Sequence, residues 1–214
     1  MKILITGTSS GIGAAIAQKF IDEGHAVVGI DVRPASLAHK NYTHVVCDIL
    51  GELPEIPDVD ILVNNAGVQD SGRDIEVNLK GAIRATEKYG VRRGIKSVLF
   101  IASASASTGA EFPEYCASKG GMISYMKNVA LRIAGFGATA NSLSPGGVLT
   151  RSNARVIDDP ELWARIMALT PLEKWADVRE IAEWAYFVTA VNRSMTAQDV
   201  LIDNGESAKA EFVW

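Results

Sequence analysis

Short apolar runs alternate with helix-like stripes along this chain, and that alternation admits few folds. Residues 3–6 read as a buried strand stopped by Gly7. A helix follows over about 13–23, with Ile16 and Phe20 four apart and Ile12 and Ile21 on neighbouring faces. Gly24 stands where a helix C-cap glycine belongs. Further strands are expected at 26–31, 43–47, 60–64, 97–103, 139–143 and 199–202, with helices at 77–89, 115–136 and 178–189. Strands written as continuous apolar runs and separated by helices imply a parallel sheet covered on both faces. Right-handed crossovers make it a doubly wound α/β sheet in three layers. At 214 residues, with no internal repeat and no Pro/Gly linker, the chain reads as a single domain over 1–214. Only 28 residues lie between Asp31 and Asp60, and they must also hold a strand. Pro34, Pro54 and Pro57 oppose helix there, so that face is expected to be thinly covered or covered by another subunit.

Composition narrows the class. Lysines and arginines number 21 against 25 acidic residues, a net charge of −4, which argues against a nucleic-acid or anionic-membrane surface. Cys47 and Cys116 form no CxxC pair and read as free thiols in a reducing compartment. His25, His39 and His44 lack ligand-like spacing, so no metal is expected. The apolar stretches are far shorter than a membrane span, and the first residues lack the apolar core of a secretion signal. The expectation is a cytoplasmic protein.

The segment Thr6-Gly7-Thr8-Ser9-Ser10-Gly11-Ile12-Gly13 lies between the first strand and the first helix. Its glycines allow a tight turn and close packing of helix on sheet, and the helix N-terminus then offers N–H groups to a pyrophosphate. Asp31 ends the second strand, 18 residues after Gly13, where a carboxylate can accept the hydroxyls of an adenosine ribose and repel a 2′-phosphate. No basic residue occupies Ser9, Ser10 or Val32, although Arg33 is close. NAD(H) is therefore expected over NADP(H).

Spaced as TGxxxGxG, these glycines resemble the short-chain dehydrogenase/reductase family, whose further motifs follow in order over nearly the whole chain. Asn64-Asn65-Ala66-Gly67 resembles its NNAG, and Asn78 in Val77-Asn78-Leu79-Lys80-Gly81 its helix asparagine. Tyr115-Cys116-Ala117-Ser118-Lys119 matches its YxxSK signature. Asn141 with Pro145-Gly146 and Thr150 resembles its N-x-x-x-PG-x-x-x-T, and Asp203-Asn204-Gly205 its terminal DGG with one substitution. The resemblance implies a Rossmann-like fold and an oxidoreductase interconverting a secondary alcohol and a ketone. It also implies cofactor contacts from Gly7, Ser9, Ser10, Gly11, Ile12, Gly13, Asp31, Asp48, Ile49, Asn65, Ala66, Gly67, Pro145, Gly146, Val148 and Thr150. Asp48 is equally a turn cap.

Tyr115 and Lys119 are four apart on one helix face, so their side chains meet. An ammonium beside a phenol is expected to favour the phenolate and fit Tyr115 for general acid/base work. By resemblance, Lys119 also holds the nicotinamide ribose and Asn78 a water that links Lys119 to solvent. The family's serine most often stands 13 residues before the tyrosine, which here is Ala102. Aligning the strand instead selects Ser103, with Ser105 next, to polarise the substrate oxygen. Residues 147–173 read as an apolar substrate lid that suits a hydrophobic alcohol or ketone, or as plain helix packing. Trp184, Tyr186, Phe187 and the tail Glu211-Phe212-Val213-Trp214 are aromatic for a chain end. With the family's pairing through helices 77–89 and 115–136 and the last strand, they suggest a homodimer or homotetramer. Two other functions stay open: an NAD(H)-binding regulatory protein without chemistry, and an epimerase or dehydratase that retains its NAD.

Overall fold

The computed structural model describes residues 1–110 and 112–209. The strands are β1 (Lys2–Thr6), β2 (Ala26–Asp31), β3 (Tyr42–Val46), β4 (Ile61–Asn64), β5 (Ser97–Ile101), β6 (Thr139–Pro145) and β7 (Asp199–Ile202). They form one sheet in the order β3-β2-β1-β4-β5-β6-β7, every pair parallel. The order reverses between β1 and β4, which opens a crevice beyond the carboxyl ends of the central strands.

The helices are α1 (Gly11–Asp22), α2 (Ala82–Ala85, extended by the wide turns Ile75–Gly81 and Thr86–Gly90), α3 (Ser105–Thr108), α4 (Pro113–Ile133), α5 (Ala154–Ile157), α6 (Pro160–Leu169) and α7 (Val178–Tyr186). Alternation along the strands builds two cores. Ile3, Ile5, Ile61, Val63, Leu99 and Ile101 face Ile16, Phe20 and Ile181 of α1 and α7. Leu4, Leu62, Val98 and Phe100 face Ala85, Met122 and Met126 of α2 and α4. Every sequence-expected element is present, with ends that shift by a few residues. The expected C-cap is built at α1: Gly24 lies at φ +80, its N–H reaches Ile21 O, and His25 N–H reaches Phe20 O. β5 stops at Ile101 instead of residue 103 because the chain turns into α3, although Ala102 and Ala104 still donate to Leu143 O and Pro145 O of β6.

The expectation of a thin face after β2 is corrected by the chain itself. Residues 32–41 and 47–60 hold no helix, yet Ile49, Leu53, Ile56 and Val59 of the second stretch are buried against Ala82, Ala85 and Tyr89. A loop laid over a core leaves carbonyls without helical partners, and such groups need donors. α2 supplies them. Arg84 donates to Ile49 O and Gly51 O, Lys88 Nζ to Leu53 O at 2.7 Å, and the buried Tyr89 hydroxyl to Pro54 O at 2.6 Å. Replacing Tyr89 by Phe leaves the Pro54 carbonyl without that donor and should cost about 1–2 kcal/mol. Urea unfolding should show a lower midpoint at an unchanged slope.

Candidate active site

The glycine-rich turn forms at the carboxyl end of β1 because three glycines remove Cβ atoms where backbone must pass. Gly7 sits at φ +77, and a Cβ on Gly13 would lie 2.0 Å from Gly7 O. α1 then begins at Gly11 with no side-chain cap from Ser10 and no acidic residue in its first turn. Its leading N–H groups are thus left for an anion. Thr150 comes from beyond β6 to lie against Gly11, its Cγ2 at 3.7 Å from where a Cβ would stand. That uncapped, glycine-lined turn fits the pyrophosphate of a dinucleotide.

On one side of the turn lies Asp31. Its carboxylate is buried and accepts Ser9 N–H and Arg33 N–H, each at 2.9 Å. Burial works to raise its pKa, but these bonds and the Arg33 guanidinium together hold it below the ordinary value. Arg33 also donates to Ser10 Oγ at 2.8 Å, which closes a clamp over the turn. Asp48 is exposed and accepts Leu50 N–H, capping its own turn, while Ile49 is buried in the core against α2. On the other side, Asn65 Nδ2 donates to Thr6 O and Gly7 O, and Thr6 Oγ1 accepts both Asn65 N–H and Ala66 N–H at 3.1 Å. The end of β4 is thereby tied to the glycine turn.

Gly67 follows and faces the reacting cluster: a Cβ there would stand 3.1 Å from Asn78 Oδ1 and 3.5 Å from Lys119 Nζ. Asn78 is fully buried. It accepts Val68 N–H, and donates to Val68 O at 2.9 Å and to Ser118 Oγ at 3.0 Å. Lys119 is 4% exposed, and its ammonium donates to Ile101 O at 2.8 Å. The ammonium stands over the Tyr115 ring, 5.5 Å from the centroid. So the tyrosine and lysine of α4 do meet, but charge meets ring face. Burial pushes the phenol up instead of down as the sequence suggested; a hydrogen bond from Ser103 opposes this, and the nearby Asp74 carboxylate adds to it. Burial also pushes Lys119 down to about 8, with Asp74 acting against it. Ser103 is buried where β5 turns into α3 and accepts Ser105 N–H at 3.2 Å. Of the two serines, Ser103 is the one that acts on the phenol, favouring its ionised form.

Pro145, Gly146 and Val148 line the end of β6. Gly146 N–H reaches Ile202 O, and Val148 is buried with its backbone paired to Ala176. Asn141 lies deeper, fully buried, holding Met195 O and Gln198 N–H. Its position shows a role in joining β6 to the turn before β7. The lid forms α5 and α6, capped by Asp159 with Pro160 in the first turn. Leu162, Trp163, Ile166 and Met167 are half-buried, with Trp163 edge-on to Trp175 at 5.2 Å. Its base is fastened by Glu206, which accepts from Thr170 Oγ1 at 2.8 Å and Trp175 Nε1 at 3.4 Å. The aromatic tail 211–214 lies outside the described residues. Sequence reasoning missed Asp74, which is 1% exposed and stands one helical turn before Asn78. An acid four residues ahead of a motif asparagine is a signal that could have found it.

Keeping a buried amine charged costs stability, and the sign is calculable. Lys119 binds its proton less tightly folded, near pKa 8, than unfolded, near 10.5. Below pH 8 the full penalty applies, about 3 kcal/mol, and it is relieved as pH rises from 8 to 10.5. Lys119→Met should therefore be the more stable protein at pH 7 in urea unfolding. Its advantage over the parent should shrink across that window.

Comparison with known proteins agrees with this geometry. A family model described as short chain dehydrogenase matches residues 1–161. The chain is similar to the glucose 1-dehydrogenase of Gluconobacter oxydans (strain 621H), 27% identical over 248 residues, with 99% of this chain and 93% of the relative covered. Aldohexose dehydrogenase of Thermoplasma acidophilum, solved free of ligand, superposes with a TM-score of 0.85 at 26% identity, covering 100% of this chain and 96% of that one. A structure from Agrobacterium tumefaciens with bound NADP gives 0.88 at 25% identity, covering 97% and 96%. With its parallel sheet, glycine turn and Tyr115–Lys119 pair in that setting, the chain belongs to the short-chain dehydrogenase family of oxidoreductases.

Proposed function

We propose that this protein interconverts a secondary alcohol and a ketone, using NAD(H). The observation that carries the reading is the convergence of Ser103, Tyr115, Lys119 and Asn78 beside Gly67, at the carboxyl ends of β4 and β5. Gly7, Ser9, Ser10, Gly11, Ile12 and Gly13 would hold the pyrophosphate. Asn65, Ala66 and Gly67, with Pro145, Gly146, Val148 and Thr150, would border the rest of the dinucleotide. Asp48 and the Ile49 backbone would stand by the adenine. Bound NAD supplies the hydride acceptor, and NADH the donor.

The chain's own groups handle the proton. Ser103 donates to the substrate oxygen and polarises it. Tyr115 gives a proton to that oxygen when a ketone is reduced, and takes one when an alcohol is oxidised. Its half-buried phenol, held above the ordinary value by desolvation, suits donation. Oxidation needs the phenolate, which the Lys119 ammonium over the ring favours. Lys119 can turn from Ile101 O toward ribose hydroxyls, and Asn78 fixes the α2–α4 contact behind it.

Asp31 supports NAD(H) because a carboxylate at the end of β2 would accept ribose hydroxyls and repel a 2′-phosphate. Arg33 is spent on Asp31 and Ser10. The half-buried apolar face of the lid favours a substrate with hydrophobic surface. Pairing of subunits is part of the same reading: Leu131 of α4 is 78% exposed, and Leu201 lies exposed on the edge strand β7. Light scattering should report a dimer or tetramer, and a monomer at micromolar concentration would refute the pairing.

The deciding experiment is turnover with NAD on a panel of secondary alcohols, including cyclic alcohols and aldoses. Tyr115→Phe should lower kcat by roughly two to four orders of magnitude while NADH fluorescence enhancement persists. Undiminished turnover in that variant would reject the mechanism. Asp31→Ala should weaken NAD binding and narrow its preference over NADP. An unchanged ratio would remove Asp31 from the selection of cofactor.

A further inference from the structure

Asp74 is a buried carboxylate that the proposed chemistry does not use. It opens the wide turn Ile75–Gly81 and is 1% exposed. Asp70 N–H at 3.0 Å, Ser71 N–H at 2.9 Å and Ser71 Oγ at 2.8 Å all donate to it. Asn78 stands one turn later on the same face of α2. There it touches Ser118, the neighbour of Lys119, and the Gly67 position 3.5 Å from Lys119 Nζ. The buried acid and the buried amine thus lie on the facing sides of the α2–α4 contact.

We propose that Asp74 is a positioning residue of the active site: its carboxylate is the counter-charge to the Lys119 ammonium across the α2–α4 contact. The inference rests on the reading of Tyr115 and Lys119 as the proton-handling pair. Few other charges compete among the described residues. Asp70 and Arg73 of the preceding loop are exposed, Glu76 pairs with Lys80 at 3.1 Å, and Glu114 of α4 is exposed. Cys116 of α4 acts on Tyr115 in the same sense as Asp74, and the end of β5 contributes the uncharged Ser103. Among the described residues, Asp74 is the buried carboxylate that opposes loss of the proton from both members of the pair.

Three hydrogen bonds also make Asp74 a loop anchor, so the test must separate charge from scaffolding. Asp74→Asn keeps an acceptor for the loop and removes the charge. Charge removal alone lowers the midpoints of both Tyr115 and Lys119. A loosened, wetter pocket lowers that of Tyr115 but raises that of Lys119, because burial displaces the two in opposite directions. The cofactor-free protein suffices. Ultraviolet difference titration against Tyr115→Phe reads the phenol, and NMR of the Lys119 Cε–Hε signals, assigned with Lys119→Arg, reads the amine.

Both midpoints should fall by roughly one pH unit in Asp74→Asn and return toward the parent values in Asp74→Glu. A fall for Tyr115 with a rise for Lys119, or no movement of either, overturns the proposal. Should the Asn variant fail to fold, Asp74→Ser, which keeps a hydroxyl for the loop amides, is titrated by the same criteria. These titrations do not depend on turnover. Tyr115→Phe kinetics judges the proposed function separately.

Discussion

A charged amine held out of water is the constraint around which this site is organised. Lys119 lies between α4 and the end of β5 with Ile101 O as its hydrogen-bond acceptor and the face of Tyr115 above it. Such a group is tolerated only where surrounding dipoles and charges compensate for lost hydration. The neighbouring features serve that end. Gly67 brings backbone close because a side chain there would crowd Asn78 Oδ1, and Asn78 locks the helix contact with bonds on both sides of its amide. The chain gives up stability here to keep an amine buried beside Tyr115.

The fold was legible because both of its periodicities are written in the sequence. Strands such as Ile61–Asn64 open with an unbroken apolar run, Ile61, Leu62 and Val63, since both faces are covered, and the α1 stripe of Ile16 and Phe20 continues into one core. The site was legible where spacing alone dictates contact, as for Tyr115 and Lys119 four apart. Less could be read where contact depends on the angle between elements. That the ammonium faces the ring and not the hydroxyl follows from how α4 docks on β5, which no local pattern encodes. Asp74 escaped for a related reason: an acid at a helix start reads as a solvated first-turn residue until the loop is seen to fold back on it through Asp70 and Ser71. Asp48 and Ile49 likewise followed the tertiary context, one capping a turn and the other filling the core under α2.

The coverage after β3 shows how a helical layer can be replaced. A loop lacks internal hydrogen bonds, so its backbone must be satisfied from outside before its apolar side chains can be buried. Arg84, Lys88 and Tyr89 reach across with long side chains whose polar ends meet carbonyls, and the Tyr89 ring is itself part of the core. Ile49, Leu53 and Ile56 then fill the place of an amphipathic helix.

That arrangement gives α2 two opposed attachments. Its first turns hold Asn78 against Ser118 of α4, while its last turns grip the loop segment around Leu53 and Pro54. The helix is therefore a crossbar between α4 and the loop that covers the sheet after β3. One helix thus serves both as the clasp of the loop around Pro54 and as the brace of α4 through the asparagine bonded to Ser118.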